Sequence, residues 1–215
     1  MNCCPNNDYQ QRQNDLLVHP YKGKIQTSYK VILVGSPNVG KSTIVDRLIG
    51  KPINAPYTTP TIGIDFSKIT IHIDQLPVNI LIWNGDSGQA RFKSTHPPLF
   101  YRGADFVFLV YDLNGSNQSY LYDSYKEHIE QNPLLDPKTS SVVIIGNKLD
   151  LVQRFSFFKD GSITSFEKAE SFAQEKGCSY FAVSAVNGQN FELLHDHLYN
   201  NIKQKIEEQK ELINN

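Results

Sequence analysis

Val31-Ile-Leu-Val-Gly35-Ser-Pro-Asn-Val-Gly40-Lys41-Ser42 decides the fold. A run of β-branched and apolar residues enters a glycine turn, and Lys41 and Ser42 then open a helix. From Gly35 to Ser42 every fixed position of G-x-x-x-x-G-K-[ST] is filled. Gly35 and Gly40 let the backbone turn tightly enough to aim its N–H groups at phosphate oxygens. Lys41 brings a cation to the outer phosphates, and the Ser42 hydroxyl is of the kind that ligates Mg²⁺. The N-terminus of the following helix adds partial positive charge. The stretch reads as a phosphate-binding loop.

The bulk of the chain bounds what surrounds that loop. Its 215 residues, 40% hydrophobic, suffice for one sizeable core and one domain. With 21 basic against 22 acidic residues the net charge is −1, so the basic footprint of a nucleic-acid binder is missing. Three cysteines, Cys3, Cys4 and Cys178, make no disulfide framework and fit a reducing compartment. The N-terminus lacks the apolar region of a secretory signal, and the longest apolar run, Phe106 to Tyr111, is far too short to span a membrane. A soluble, monomeric, cytoplasmic protein is expected.

Outward from the loop, strands alternate with helices. Residues 1–28 are rich in Asn and Gln and aperiodic, as in a polar arm. Strand one is expected over 29–35 and helix one over 42–50, with a proline-bearing loop at 51–60. The alternation of Ile64, Phe66, Ile69, Ile71 and Ile73 marks a long strand, turned back at 74–77 into another that ends at Trp83. After the polar, glycine-bearing 84–98 come a strand over 105–112, a helix near 116–131 and the continuous apolar run 141–146 of a central parallel strand. A loop over 151–163, a helix near 164–176 and a strand over 180–183 follow. Apolar residues at 191, 194, 198, 202 and 206 stripe a last helix near 189–210, before a short tail at 211–215. This is an α/β sheet wrapped on both faces, with ligand loops at the carboxyl ends of its strands.

Gly146-Asn147-Lys148-Leu149-Asp150 follows the central strand. An Asp carboxylate accepts two hydrogen bonds from the ring N–H and amino group of guanine, and adenine offers no such pair of donors. Asn147 suits holding the loop and Lys148 lying along the base.

At this point the chain resembles the Ras superfamily of small GTPases, and its Rab branch in particular, from about Tyr29 to the final helix. Thr61-Ile62-Gly63-Ile64-Asp65-Phe66 is similar to the Rab switch I. Ile82-Trp83, Gly88-Gln89, Arg91-Phe92 and Tyr101-Arg102-Gly103-Ala104-Asp105 are similar to its interswitch and switch II. Leu109-Val110-Tyr111-Asp112, Asn147-Lys148-Leu149-Asp150 and Ser184-Ala185 continue the pattern in order. The resemblance implies a three-layer P-loop GTPase (G) domain over 29–210, its six-stranded sheet mostly parallel with one antiparallel edge strand and helices on both faces. It implies GTP and GDP as ligands with Mg²⁺. Gly35, Asn38, Val39, Gly40, Lys41, Ser42 and Thr43 then contact the phosphates, and Asn147, Lys148, Asp150, Ser184 and Ala185 the base. Ser42 and Thr61 ligate Mg²⁺, Thr61 only with a γ-phosphate present; the Gly88 N–H faces that phosphate and Gln89 orients the attacking water. Effectors, exchange factors and GTPase-activating proteins would read residues 57–66 and 84–101, ordered by the γ-phosphate and released on hydrolysis.

Departures from the family pattern cluster near the metal. Trp83-Asn84-Gly85-Asp86-Ser87-Gly88-Gln89-Ala90 is one residue longer than the usual Trp-Asp-Thr-Ala-Gly-Gln. Counting from Trp83 puts Asn84 at the Mg²⁺-linked Asp, counting back from Gly88 puts Gly85 there, and Asp86 serves as the metal-linked carboxylate only through a bulge. Ile53 replaces an aromatic ring against guanine, Val186 replaces a lysine, and Pro37 has no N–H to give the phosphate loop. Slow intrinsic hydrolysis is expected.

Leu212-Ile213-Asn214-Asn215 holds none of the prenylated cysteines of Rab proteins, so no stable membrane anchor is expected, and Cys3 and Cys4 read as free thiols on the arm, with weak lipidation as the alternative. Peripheral contact with endomembranes is the matching expectation. Asp136-Pro137-Lys138 resembles late-endosomal Rabs, a string too short to fix a compartment. Phe155, Phe157 and Phe158 lie in the long 152–163 loop, against the sheet edge or toward a partner. The irregular 84–86 segment also fits a guanine-nucleotide-binding module that does not cycle. Gly-Ser-Pro-Asn-Val-Gly-Lys-Ser is similar as well to RNA- or ribosome-associated GTPases, whose added basic domain has no room here.

Overall fold

A computed structural model describes residues 25–53, 61, 63–85, 98–115, 119–136, 139–155 and 163–214. Its elements run in the order β1 (Ser28–Val34), α1 (Lys41–Leu48), β2 (Ile64–Ile73), β3 (Leu76–Gly85) and the short α2 (Pro98–Tyr101). They continue with β4 (Phe106–Asp112), α3 (Ser119–Tyr125, extended by a π-helix over Lys126–Glu130), β5 (Ser141–Asn147) and α4 (Leu149–Phe155). The chain then forms α5 (Ile163–Glu175), β6 (Ser179–Ala182) and α6 (Phe191–Asn214). The six strands form one sheet in the order β2-β3-β1-β4-β5-β6. β2 pairs antiparallel with β3 and every other pair is parallel. The expected α/β sheet with one antiparallel edge is thus what forms.

The central strands β1, β4 and β5 are apolar along Val31–Val34, Phe106–Tyr111 and Val142–Ile145, because both of their faces are covered there. Val31 and Leu33 of β1 pack with Phe106 and Phe108 of β4 against α1 and α6, through Ile44, Leu48, Leu194, Leu198 and Ile202. Ile32 and Val34 point the other way, with Val107, Leu109 and Ile144, toward Phe100, Leu121, Tyr125 and Ala173. The edge strand β2 lacks such cover, and Phe66 stays 52% exposed. Its hairpin to β3 turns on Asp74 and Gln75 at φ 48° and 69°, the left-handed pair that a two-residue hairpin turn requires.

Three expectations shift. Residues 149–155 are helical where a loop was expected from 151, because Leu149 and Val152, three apart, both bury against the second layer. Helix α6 continues to Asn214, past the expected end near 210. The polar arm gives way to anchored chain by Ile25, which packs on the first core layer. Beside it the Gln26 N–H donates to Gln209 Oε1 of α6 at 2.8 Å, and Gln26 Nε2 to Asp105 Oδ1 at 3.2 Å. Residues 1–24, with Cys3 and Cys4, lie outside the described residues, as do Phe157 and Phe158.

One buried polar pair lies inside the second layer. Tyr101 at the end of α2 is hydrogen-bonded through its hydroxyl to His128 Nδ1 on the π-helical turn, at 2.8 Å. Burial, and secondarily the charge of Lys41, push the His128 pKa down from 6.5 to about 4. Because the folded protein resists protonating this ring, its contribution is complete above pH 6.5 and erodes as pH falls toward 4. Denaturant unfolding is expected to show a loss of about 3 kcal/mol across that window from this residue. His128→Gln, titrated in parallel, should lose that part of the slope, and identical slopes would contradict the assignment.

Candidate nucleotide site

At the carboxyl end of β1 the chain turns at Gly35, φ 131°, and a side chain there would run into the Val110 carbonyl of β4. Only glycine lets the loop leave the sheet this close to its neighbour. Gly40, φ 94°, precedes the first turn of α1, and a side chain on it would collide with the Asn147 amide. Between them Asn38 takes φ 60° on the exposed crest while Val39 is buried. Lys41 folds back so that its ammonium donates to the Gly35 and Ser36 carbonyls, 2.9 Å each. A cation held beside the N-terminus of α1, in a loop with this glycine pattern, suits an anion.

Asn147 ties this loop to the rest. Its Nδ2 donates to the Val39 carbonyl at 2.8 Å, and its Oδ1 accepts from the Ala185 N–H at 3.0 Å. One buried amide therefore fixes the phosphate loop against the loop that follows β6. Ser184 Oγ donates to Asp150 Oδ1 at 2.6 Å, which orients the carboxylate and leaves its remaining lone pairs for a ligand. Lys148, at φ 67°, forms an ion pair with Asp112 Oδ2 at 2.8 Å. Arg47 of α1 donates through Nε to the Ala185 carbonyl and through a terminal nitrogen to the Val186 carbonyl, both 2.6 Å. Arg47 and Asp112 were not among the expected site residues. Arg47 binds backbone carbonyls, which leave no mark in the sequence pattern, whereas Asp112 and Lys148 both stand in quoted motifs and only their pairing across the fold was not foreseen.

The oxygens expected to hold a metal meet beside α1. Ser42 Oγ and Thr61 Oγ1 are 2.7 Å apart, and Asn84 Nδ2 donates to Ser42 Oγ at 2.9 Å. Asn84 stands opposite Leu33 in the parallel pairing of β1 with β3, and its side chain reaches Ser42, as the count from Trp83 would place it. It is 2% exposed, and among the described residues its Oδ1 has no hydrogen-bond partner. Two hydroxyls and an orphaned amide oxygen within one cluster suit a hard cation that takes oxygen ligands. Asp86, Gly88 and Gln89 lie outside the described residues, whereas Gly35, Asn38, Val39, Gly40, Lys41, Ser42, Thr43, Thr61, Asn147, Lys148, Asp150, Ser184 and Ala185 are all described.

Comparison with known protein families matches residues 30–204 to the Ras family. Among curated proteins, the Ypt/Rab-type GTPase avaA of Emericella nidulans is 36% identical over 166 residues, 76% of each chain. Ypt/Rab-type GTPase ypt7 of Schizosaccharomyces pombe is 33% identical over 78% of each. Ras-related protein Rab7 of Drosophila melanogaster is 32% identical over 89% of this chain and 88% of its own. The family match covers most of the chain and these relatives exceed 30% identity over more than two thirds of it, so the chain belongs to the Ras family as a Rab-like small GTPase.

Proposed function

We propose that this chain works in vesicle trafficking as a Rab-type switch that binds GTP and GDP, hydrolyses GTP slowly to GDP and phosphate, and shows its state to protein partners. The observation that carries the proposal is Asn147, whose amide joins the phosphate loop to the base-side loop and so sets the distance between a triphosphate and its purine. That the relatives are named GTPases of the Ypt/Rab type favours a cycling switch over the module that does not cycle.

In this reading the N–H groups of residues 38–43 and the Lys41 ammonium orient the phosphates, while Asp150 receives the guanine edge beside Ser184 and Ala185. Ser42 and Thr61 hold Mg²⁺, which when bound supplies charge neutralisation on the phosphates. Gly88 meets the γ-phosphate through its N–H, and Gln89 positions the water. Phosphoryl transfer of this kind asks the protein for placement and electrostatics rather than covalent chemistry. Slow turnover follows from the amide at Asn84, which brings no negative charge to the metal.

Residues 57–66 and 84–101 would meet effectors, exchange factors and GTPase-activating proteins. Of these, Ile64 and Phe66 are exposed on the edge strand, and Phe66 stands edge-on to Trp83 at 5.6 Å between ring centroids. Among the described residues no helix is long and apolar enough to cross a membrane. Peripheral attachment to endomembranes from the cytoplasm, with lipid on Cys3 or Cys4, is the proposed location.

Calorimetric titration of one preparation with GTP, GDP and ATP tests the reading. ATP should bind at least about 100-fold more weakly, the cost of an unpaired buried carboxylate plus lost hydrogen bonds. Asp150→Ala should erase most of that preference, and equal affinity for both purines in the unaltered protein would refute it. Single-turnover hydrolysis without an activator should fall below roughly 10⁻⁴ per second, and a rate at or above the ordinary range would refute slow turnover.

A further inference from the structure

We infer that Lys30 is a positioning residue, whose ammonium staples the end of β3 to α2 and so fixes both flanks of the stretch that bears Gly88 and Gln89. The inference rests on the proposed function above for what those two residues do, and concerns what holds their flanks. Lys30 Nζ lies 4.3 Å from the centroid of the Trp83 ring, two positions before β3 ends at Gly85. The same nitrogen donates to the Leu99 carbonyl at 2.7 Å and to the Arg102 carbonyl at 3.0 Å, in α2 and directly after it. Residues 86–97 join those two flanks. A link across the base of a connecting segment supplies part of its closure entropy in advance.

The staple stands on a fixed footing. The Lys30 N–H donates to Asp105 Oδ2 at 2.7 Å, and the Lys30 carbonyl accepts from the Asp105 N–H at 2.9 Å. In the sheet Lys30 pairs with Leu81 of β3. With its backbone held on both sides the lysine cannot follow α2 outward, so displacing α2 breaks both carbonyl bonds. Helix α2 has a use for them, because four residues are too few to satisfy its own terminal carbonyls. The Arg102 and Ala104 N–H groups take the Pro98 and Tyr101 carbonyls, and Lys30 takes those of Leu99 and Arg102.

All three contacts draw on the positive charge. Hydrogen bonds from an ammonium are about twice as strong as neutral ones, and the indole face attracts a cation. Methionine at this position would keep the apolar stem and offer neither, whereas arginine would keep the charge and the donors. Half-burial pushes the Lys30 pKa down to about 8, with Asp105 pulling the other way. Asp105, just before β4, is itself raised by burial, with Lys205 of α6 opposing. On α2, burial raises the Tyr101 hydroxyl, which is bonded to His128, a ring that titrates near 4. A proton lost near pH 8 beside the indole is thus a signature of Lys30, and Lys30→Arg separates it from these neighbours.

The test uses the full chain, unaltered and as Lys30→Met and Lys30→Arg. Trp83 is the single tryptophan, so its emission reports on this contact. Emission from the unaltered protein should step with a midpoint near pH 8, and the step should be missing from Lys30→Arg, whose guanidinium keeps its proton. Hydrogen exchange at the Arg102 and Ala104 amides should run about tenfold faster in Lys30→Met at neutral pH, and within about threefold of the unaltered rate in Lys30→Arg. Single-turnover GTP hydrolysis should fall about tenfold in Lys30→Met while GTP affinity stays within about threefold, and Lys30→Arg should restore it. Emission that titrates identically in the unaltered protein and Lys30→Arg overturns the inference, and that comparison needs no neutral variant to fold. So does unchanged exchange in Lys30→Met, and so does hydrolysis in Lys30→Met at the unaltered rate or reduced only in step with affinity. A chain that binds no guanine nucleotide but loses α2 protection in Lys30→Met fails the functional reading and retains the staple.

Discussion

A single buried carboxamide, that of Asn147, sets the geometry of the whole ligand end. It stands at the carboxyl end of β5 and reaches sideways, giving a proton to the loop after β1 and taking one from the loop after β6. Its backbone carbonyl accepts from the Leu113 N–H and so draws in the chain after β4 as well. Three loops that come from distant parts of the sequence are thereby referred to one residue. Each of these bonds is worth only about 1 kcal/mol net, but leaving any one of them buried and unmade costs more. Rigidity at this end therefore comes from the penalty of breaking the set.

The same logic separates the two halves of the site. The purine half is tied by closed hydrogen-bond pairs: Ser184 on Asp150, Arg47 on the Ala185 and Val186 carbonyls, Lys148 on Asp112. The metal half is looser in its accounting, with Asn84 Oδ1 left over inside the protein.

Much of this was legible in the residues. The phosphate loop announced itself because turn glycines, a lysine and a hydroxyl suit phosphate contacts, and the central parallel strands because burial on both faces leaves apolar runs in their middles. The order of motifs along the chain then placed Asn147, Asp150 and Ser184 near one another before any coordinates. What stayed hidden depends on pairing across the sheet. The string Trp83-Asn84-Gly85-Asp86 has two registers on paper, and that Asn84 stands beside Leu33 and reaches Ser42 is visible only across the sheet. Helix α4 was hidden for another reason. Asp150 opens a helical turn and also reads as a loop residue, and the burial of Leu149 and Val152 that favours helix is a property of the neighbouring layer. Arg47 could not have been found from its own surroundings in the sequence, since it binds carbonyls that every residue possesses.

The bond between Gln26 and Gln209 bears on how the domain sits wherever it is held. β1 starts beside Gln26 and delivers its carboxyl end to the phosphate loop, while α6 starts just after the Ser184 loop and descends about 36 Å to Asn214. Chain entering at Ile25 and chain leaving past Gln209 thus meet at one pole, opposite the loops. A tether on either side of the domain pulls on the same spot, and the nucleotide face is carried outward, like the head of a mast stepped at its foot.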